Sequence, residues 1–247
     1  MDCFLIISDT HGLDIHENTA HPFRLPLPKV DVLLHCGDLT QVGGHGPFRK
    51  ALKMLGEIDA ELKLHDQAVA IMKGPLAKEA GVTYLEQGTH TFTLKSGVSF
   101  SIYVSPYSPA INDYAFGYPL SENRFADLKD HVDIMMTHGP PKNILDACPS
   151  GNVGCDHLLA ALNRVKPLLH CFGHIHEGHG ARTISWDEKA DAENYLMVAK
   201  PVDIDKTERW HTVRKSENSN ETLAVNAAIQ GENGEFCNSP WLVYLPL

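Results

Sequence analysis

The chain contains a series of short apolar runs, most of which end in polar residues. Four runs have the length and continuous hydrophobicity of buried strands, at residues 3–8, 30–36, 132–136 and 167–172. Apolar residues with helical spacing occur at 47–57 and 154–165. Strands alternate with helices in the first part of the chain and are joined by hairpins later. This order predicts a layered α/β sandwich.

Further strands are predicted between and after these elements. The alternating segments 89–94 and 98–104 flank Lys95-Ser96-Gly97 and predict a hairpin. Additional strands are predicted at 82–85, 182–186, 222–229 and 241–245, and a helix at 122–129. Residues 186–220 are polar, which indicates a surface insertion within a single domain spanning residues 1–247.

The third strand departs from this regular pattern. Residues 61–64 begin like a strand, but the pattern stops at His65-Asp66 and helical spacing follows at once over 68–76. A strand normally has about five or six residues. The sequence therefore predicts a truncated third strand.

The amino-acid composition argues against several classes of function. A hydrophobic share of 43% in 247 residues is enough for one substantial core. A net charge of −10 argues against nucleic-acid binding, which needs clustered basic residues. No apolar run reaches the roughly 18 residues of a membrane helix, and the first run is too short for a signal peptide. The six cysteines lack zinc-finger spacing, so we expect a soluble cytoplasmic protein without membrane contact.

Four polar clusters come directly after apolar runs. They are Asp9-Thr10-His11, Gly37-Asp38, His138-Gly139 and Gly173-His174-Ile175-His176. Ligands of α/β sheets bind outside the carboxyl ends of the strands, so we expect the four clusters to meet on one rim.

These clusters offer the donors of a metal site. The candidate ligands are Asp9, His11, Asp38, His138, His174 and His176. The Asp38 carboxylate has two oxygens and can bridge two cations, and Gly37 lets the backbone bend beside it. Imidazoles with carboxylates suit Mn, Fe or Zn better than Ca or Mg. Taken singly, Asp-x-His is typical of a loop, Gly-Asp of a turn, and His138 of a cap or core residue. Their joint occurrence at strand ends favours metal binding.

The same motifs resemble those of the calcineurin-like metallophosphoesterases. The resemblance is carried by Ile7-Ser8-Asp9-Thr10-His11-Gly12, His35-Cys36-Gly37-Asp38, Thr137-His138-Gly139 and Gly173-His174-Ile175-His176. Glu177-Gly178, Val225-Asn226-Ala227 and the final Leu245-Pro246-Leu247 are similar to the metallophosphoesterase-domain branch called MPPED-like, which includes fungal relatives. The resemblance spans nearly the whole chain.

The resemblance implies a four-layer αββα sandwich, two divalent metal ions, and hydrolysis of a phosphoester in a small substrate such as a nucleotide. The first ion would be held by Asp9, His11 and His176. Asp38 would bridge both ions, and His138 and His174 would hold the second. The two cations would stabilise the attacking and leaving oxygens of an in-line displacement.

One family motif is absent from the chain. Members have Gly-Asn-His-Asp/Glu at the end of the third strand, where the Asn ligates the second metal and the His assists the leaving group. Nothing between Asp38 and His138 matches it. Asp66 is better explained as a helix cap than as a remnant, and Asn112 and Asn143 would substitute only by chance. With the short third strand, this absence predicts an internal deletion after about Leu64.

The deletion would impair the enzyme. The second metal would keep at most three protein ligands, and loss of acid–base help alone commonly slows turnover by roughly 10²- to 10⁴-fold. We therefore expect weak or absent turnover, with binding of a single metal retained. Two alternatives stay open: a non-catalytic metal- and nucleotide-binding protein of the same fold, and a translation product that folds poorly.

Overall fold

Two large β-sheets form the centre of the fold. The computed structural model describes residues 1–16, 21–41, 43–65, 73–110, 116–128, 131–186, 197–203 and 209–247. The first sheet contains β1 (Asp2–Ile7), β2 (Val30–His35), β3 (Ala60–His65), β4 (Val82–Tyr84), β15 (His211–Arg214) and β17 (Trp241–Leu245). Their spatial order is β15-β17-β1-β2-β3-β4. Strands β1 to β4 are parallel, and β17 runs antiparallel to β1.

The second sheet has seven strands. They are β5 (Gly88–Thr93), β6 (Ser99–Ser105), β9 (Ile134–Thr137), β12 (Leu169–Phe172), β13 (Gly180–Trp186), β14 (Met197–Pro201) and β16 (Glu221–Asn226). Their spatial order is β14-β13-β16-β12-β9-β6-β5. Two short ladders pair β7 (Ser108–Pro109) with β8 (Gly117–Tyr118), and β10 (Ala147–Cys148) with β11 (Gly151–Asn152).

Three α-helices accompany the sheets in the described residues. They are α1 (His45–Gly56), α2 (Pro75–Glu79) and α3 (Asp156–Val165), and a 3₁₀ turn covers His176–Gly178. Among the residues described, no helix combines the length and the apolar character needed to cross a membrane.

Opposite faces of β1 enter two different cores, because successive side chains of a strand point to opposite sides. Phe4 and Ile6 pack between the two sheets, together with Phe100 of β6. Leu5 and Ile7 pack on the other side, in the core that contains α1 and α2. A third core lies between α3 and the outer face of the second sheet. The layers are therefore helix, sheet, sheet and helix, which confirms the predicted αββα sandwich.

The third strand is not truncated, which corrects the prediction for residues 61–64. β3 has six residues, as do β1 and β2. It pairs with β2 as far as the partners His35 and His65, and with β4 as far as His65 and Tyr84. The strand therefore gives no support for a deletion, which rests on the absent motif alone.

Lys63 connects β3 to the two helices beside it. This lysine lies within the strand and is 7% exposed. Its ammonium group donates hydrogen bonds to the carbonyl oxygens of Gly56 and Ala80, at the ends of α1 and α2. A cation there satisfies carbonyls that helices leave without partners. Asp66 and the helical spacing predicted over 68–72 lie outside the described residues.

The helix predicted over 122–129 is wrong, because the described part, 122–128, contains a turn at 124–127 and no helix. The Asn123 side chain accepts a hydrogen bond from the Phe125 N–H at 3.0 Å. Such local side-chain bonds compete with helical hydrogen bonding.

The predicted surface insertion at 186–220 contributes two strands. β14 pairs with β13, and β15 pairs with β17. His211, expected at the surface, is buried in β15, and His21 is buried as well. Residues 187–196 and 204–208 lie outside the described residues, so the insertion stays a prediction.

Candidate metal centre

The carboxyl ends of four strands meet at one edge of the sandwich. β1 and β2 are parallel neighbours in the first sheet, as are β9 and β12 in the second. The loops after them are joined by backbone hydrogen bonds. The Asp9 N–H donates to the Gly37 carbonyl at 3.0 Å, and the Gly173 N–H donates to the His138 carbonyl at 3.0 Å. The polar clusters therefore meet on one rim, as the sequence predicted.

Asp9, His11 and His176 form the first cluster, with ligand atoms all within 4.8 Å of one another. His176 Nε2 lies 3.3 Å from Asp9 Oδ1, and His11 Nε2 lies 4.0 Å from the same oxygen. The Asp9 side chain is fully buried. One carboxylate oxygen thus faces two imidazole nitrogens.

Asp38 lies between this cluster and the remaining two histidines. Its Oδ2 is 3.8 Å from His11 Nε2, and its Oδ1 is 3.7 Å from His138 Nε2. His138 Nε2 is in turn 3.1 Å from His174 Nδ1. The two Asp38 oxygens thus each lie near a different histidine, an arrangement suited to a bridging ligand.

Four of the six candidate ligands have left-handed backbone conformations. The φ angle is 51° at Asp9, 42° at His11, 50° at Asp38 and 69° at His174. Such conformations cost on the order of 1–3 kcal/mol each and cluster at functional sites. Gly37 before Asp38 has φ 125°, which confirms the expected bend.

A backbone carbonyl group orients the ring of His138. His138 Nδ1 lies 3.2 Å from the Cys36 carbonyl oxygen, to which it donates, so Nε2 is the ring nitrogen that faces Asp38 and His174. A carbonyl that accepts the second ring N–H is the usual outer contact of a metal-binding histidine.

A buried threonine–histidine pair fixes the first ligand loop. His35 Nδ1 accepts the Gly37 N–H at 3.3 Å, so the hydrogen-bond network assigns the ring proton to Nε2. That nitrogen donates to Thr10 Oγ1 at 2.9 Å. Thr10 separates Asp9 from His11, so His35 ties their loop to the one that carries Asp38.

A second pair lies behind the other ligand loop. Thr137 donates its hydroxyl to the Gly139 carbonyl at 2.7 Å and therefore accepts from His170 Nε2 at 2.9 Å. Both side chains are fully buried. Thr137 directly precedes His138, so this pair fixes the position of that ligand.

Burial and nearby charges shift the pKa values of the candidate ligands. Burial acts to raise the pKa of Asp9, but His176 and His138 outweigh it and hold that pKa well below its usual range. Burial, with His138 nearby, lowers the pKa of His174 to about 4. Burial also lowers the pKa of His11, whereas at His176 the Asp9 carboxylate outweighs burial and raises the pKa. His11 and His174 are thus neutral and able to ligate at neutral pH.

The residues fit divalent transition-metal ions. Carboxylates and imidazoles are ligands that Mn, Fe and Zn share. Asp9 Oδ1 is buried, and its contact with His176 is not aligned as a hydrogen bond, so it has no hydrogen-bond partner among the described residues. A buried carboxylate oxygen without a partner is costly, and a cation would satisfy it.

The groups that orient the ligands were missed from the sequence. The Cys36 carbonyl leaves no signal in side-chain identity, and His35 and Thr137 were considered only as neighbours of candidate ligands. Asn143 lies in a loop where its side chain accepts a hydrogen bond from Asn152 at 3.0 Å. Asn112 lies outside the described residues.

This sandwich, with carboxylates and histidines gathered at its strand ends, defines a protein of the metallophosphoesterase class. The chain belongs to the calcineurin-like phosphoesterase family, whose model matches residues 4–178, well over half of the chain. The expected family is confirmed, and with it a metal-dependent phosphoesterase fold.

Relatives include metallophosphoesterase domain-containing protein 1 of Homo sapiens. It is 30% identical over 236 residues, covering 82% of this chain and 70% of that protein. The probable rhamnogalacturonate lyase C of Emericella nidulans is 31% identical over 196 residues, covering 73% of this chain but only 18% of that protein. Among solved structures, phosphopantetheinyl hydrolase of Mycobacterium tuberculosis has a TM-score of 0.43 and 14% identity, covering 70% of this chain and 82% of that one. The first of these relatives agrees with the MPPED-like branch.

Proposed function

We propose that the chain is a slow metal-dependent phosphoesterase that acts on phosphomonoesters or phosphodiesters of small molecules. The observation that carries this proposal is the position of Asp38, whose two oxygens face His11 at 3.8 Å and His138 at 3.7 Å. Such a carboxylate is suited to hold two cations at once. Manganese is the metal we propose to test first, because imidazole and carboxylate donors both bind it.

The ligand residues divide the work between two metal positions. Asp9, His11 and His176 would hold the first ion, and His138 and His174 the second, with Asp38 shared. Bound divalent ions supply charge stabilisation to phosphoryl oxygens and lower the pKa of bound water.

The chain's own contribution is to keep these donors deprotonated and in place. The Cys36 carbonyl holds the His138 ring proton on Nδ1, away from the nitrogen that faces Asp38. The His174 N–H donates to Asp9 Oδ2 at 3.0 Å, which leaves Oδ1 directed at His11 and His176. These contacts hold the His138 ring and the Asp9 carboxylate in place, whereas the hydrogen bond between His138 Nε2 and His174 Nδ1 would have to open for a metal to bind those nitrogens.

Slow turnover follows from the absent Gly-Asn-His motif. The family's asparagine ligand and leaving-group histidine have no counterpart between Asp38 and His138. The second ion then has fewer protein ligands than the first. In addition, the motif's histidine is not there to protonate the leaving oxygen. Acid–base help of this kind is commonly worth roughly 10²- to 10⁴-fold in rate.

Calorimetric titration of the chelator-treated chain with MnCl₂ tests the proposal. We expect one tight and one weak site, with slow hydrolysis of p-nitrophenyl phosphate or bis-p-nitrophenyl phosphate that rises as the weak site fills. Asp38→Asn should abolish the weak site and the hydrolysis, because an amide offers one neutral oxygen where the bridge needs two charged ones.

Asp59→Asn is the matched control for Asp38→Asn. Asp59 is an exposed carboxylate that pairs with Lys29 at 3.5 Å on the surface, so the same chemical change there should leave binding and hydrolysis as in the parent. No Mn²⁺ binding by the parent would contradict the metal site. Two equally tight sites with rapid hydrolysis would contradict the impairment.

The alternative is a non-catalytic protein that binds a metal and a nucleotide phosphate. The absent motif favours it, because metal binding needs fewer intact parts than catalysis does. Bound Mn²⁺ without hydrolysis of either substrate, together with Mn²⁺-dependent binding of a nucleoside monophosphate, would select this alternative.

A further inference from the structure

Asn226 is a fully buried polar residue close to the candidate metal centre. It is the last residue of β16, and its register partners are Phe172 at the end of β12 and Gly180 at the start of β13. β12 leads directly into the loop that carries His174 and His176. Asn226 therefore lies beneath that loop without belonging to it.

The Asn226 amide uses its donors and its acceptor. Nδ2 donates to the Ile175 carbonyl at 2.8 Å and to the Leu145 carbonyl at 3.3 Å. Oδ1 accepts the Ala228 N–H at 3.2 Å. Because carbonyls lie on one side and an N–H on the other, only one orientation of the amide satisfies all three bonds.

The two carbonyls belong to the loops that carry three histidine ligands. Ile175 stands between His174 and His176, and Leu145 lies in the loop that follows His138. The chain is tightly fitted here: a Cβ on Gly178 would overlap the Leu145 carbonyl and lie 2.9 Å from Asn226 Nδ2. Leu145 itself has a φ of 53°, a strained value for leucine.

We propose that Asn226 is a positioning residue that sets the rings of His174 and His176 relative to Asp9 and Asp38. This inference rests on the proposed function, in which those rings bind metal. Asn226 holds the carbonyl of Ile175, which lies between His174 and His176. Losing this hydrogen bond should therefore shift both histidine rings. Its bond to Leu145 couples this loop to the loop after His138.

Backbone hydrogen bonds also connect the residue after Asn226 to β12 and to the end of β1. The residue after it, Ala227, donates its N–H to the Phe172 carbonyl at 2.8 Å and accepts the Ser8 N–H at 2.9 Å. Ser8 directly precedes Asp9. The segment 226–227 therefore connects the histidine loop, through hydrogen bonds, to the end of β1, where Asp9 follows.

Asn226→Asp and Asn226→Ala test the proposal, with Thr222→Val as the matched control. Asp keeps the shape but loses the donors, and Ala removes the side chain. Thr222 is also fully buried on β16, at the far end from the site, where its hydroxyl donates to the Pro167 carbonyl at 2.7 Å and accepts Trp186 Nε1–H at 2.9 Å. Both positions lose buried hydrogen bonds, but only one adjoins the histidine loop.

We expect the folded Asn226 variants to bind Mn²⁺ roughly 10- to 100-fold more weakly, as for outer contacts of metal ligands. Thr222→Val should bind like the parent at a similar loss of melting temperature. Equal Mn²⁺ affinity in the parent and the Asn226 variants, or equal loss in Thr222→Val, would overturn the proposal. If Asn226→Ala does not fold, the isosteric Asn226→Asp decides.

A metal-free measurement separates this inference from the proposed function. Ring ¹⁵N signals of His174 and His176, assigned with His174→Gln and His176→Gln, should shift in the Asn226 variants and not in Thr222→Val. Unshifted ring signals would overturn the positioning role. If the parent binds no Mn²⁺ but the Asn226 variants still show these shifts, the metal site is contradicted and the positioning role is supported.

Discussion

Replacing Gly173 by alanine should abolish tight Mn²⁺ binding and lower the melting temperature by roughly 5–10 °C. A Cβ there would overlap Asp9 Oδ2 and Ser8 Oγ and would lie 2.6 Å from Ser8 Cβ. Ser8 and Asp9 are fully buried, so relief requires backbone movement. Overpacking of this kind typically costs about 1–3 kcal/mol, and here the displaced group is a candidate ligand.

In Gly173→Ala the Mn²⁺ affinity should fall by more than the decrease in folding stability can explain. Asp9 Oδ2 accepts the His174 N–H at 3.0 Å, so pushing this oxygen away also releases the loop that carries His174. Thermal unfolding and calorimetric titration with MnCl₂ measure the two effects separately on the same preparation.

Gly180→Ala is the control for Gly173→Ala. A Cβ on Gly180 would lie 3.4 Å from Leu145 Cδ2 and 3.7 Å from the Gly178 carbonyl oxygen, both tolerable separations. We expect this variant to melt and to bind Mn²⁺ as the parent does. A Gly173→Ala chain that binds Mn²⁺ with the parent's affinity would show that the Asp9 side chain is not held by Gly173.

The convergence of the candidate ligands could be predicted because it depends on strand ends. Asp9, Asp38, His138 and His174 each follow a continuous apolar run, and parallel strands deliver such ends to one edge of a sheet. The positive φ angles at Asp9, His11 and Asp38 could not be foreseen from residue identity, because only the folded surroundings impose them.

Some polar side chains that the fold buries could not be placed from the sequence. Lys63 is buried within β3, where carbonyls of two helices accept its hydrogen bonds. His211 looked exposed, but β15 pairs with β17 and turns that ring inward beside Trp241. A single sequence shows polarity but not the partner that makes burial tolerable.

Asn226 shows the same limit at the site itself. The sequence places Asn226 within the predicted strand 222–229 and in the Val225-Asn226-Ala227 resemblance, but it assigns no role to the side chain. Its importance lies in the carbonyls of Ile175 and Leu145, which are distant in sequence. Orienting contacts of this kind become visible only when the backbone is placed.

Acid should destabilise the metal-free chain through His170. Burial lowers the pKa of this fully buried ring to about 3, against about 6.5 for an exposed histidine. Between pH 6.5 and about 3 the unfolded chain binds a proton that the folded chain does not. The free energy of unfolding therefore falls as pH falls through this window, by up to about 1.4 kcal/mol per pH unit for one group. Above pH 6.5 the ring is neutral in both states and this contribution to the slope vanishes.

His170→Gln should reduce the slope of unfolding free energy against pH by about one proton between pH 6 and pH 4. Urea unfolding of the chelator-treated chain at several pH values measures it. Thr137→Val is the control, because it removes the hydrogen bond to His170 Nε2 while leaving the titrating ring buried, so its slope should match the parent's. Some slope should remain in His170→Gln, since burial also lowers the pKa of His179 to about 4. A His170→Gln chain with the parent's full slope would mean that the folded protein accommodates a charged His170, which the apolar surroundings of β12 oppose.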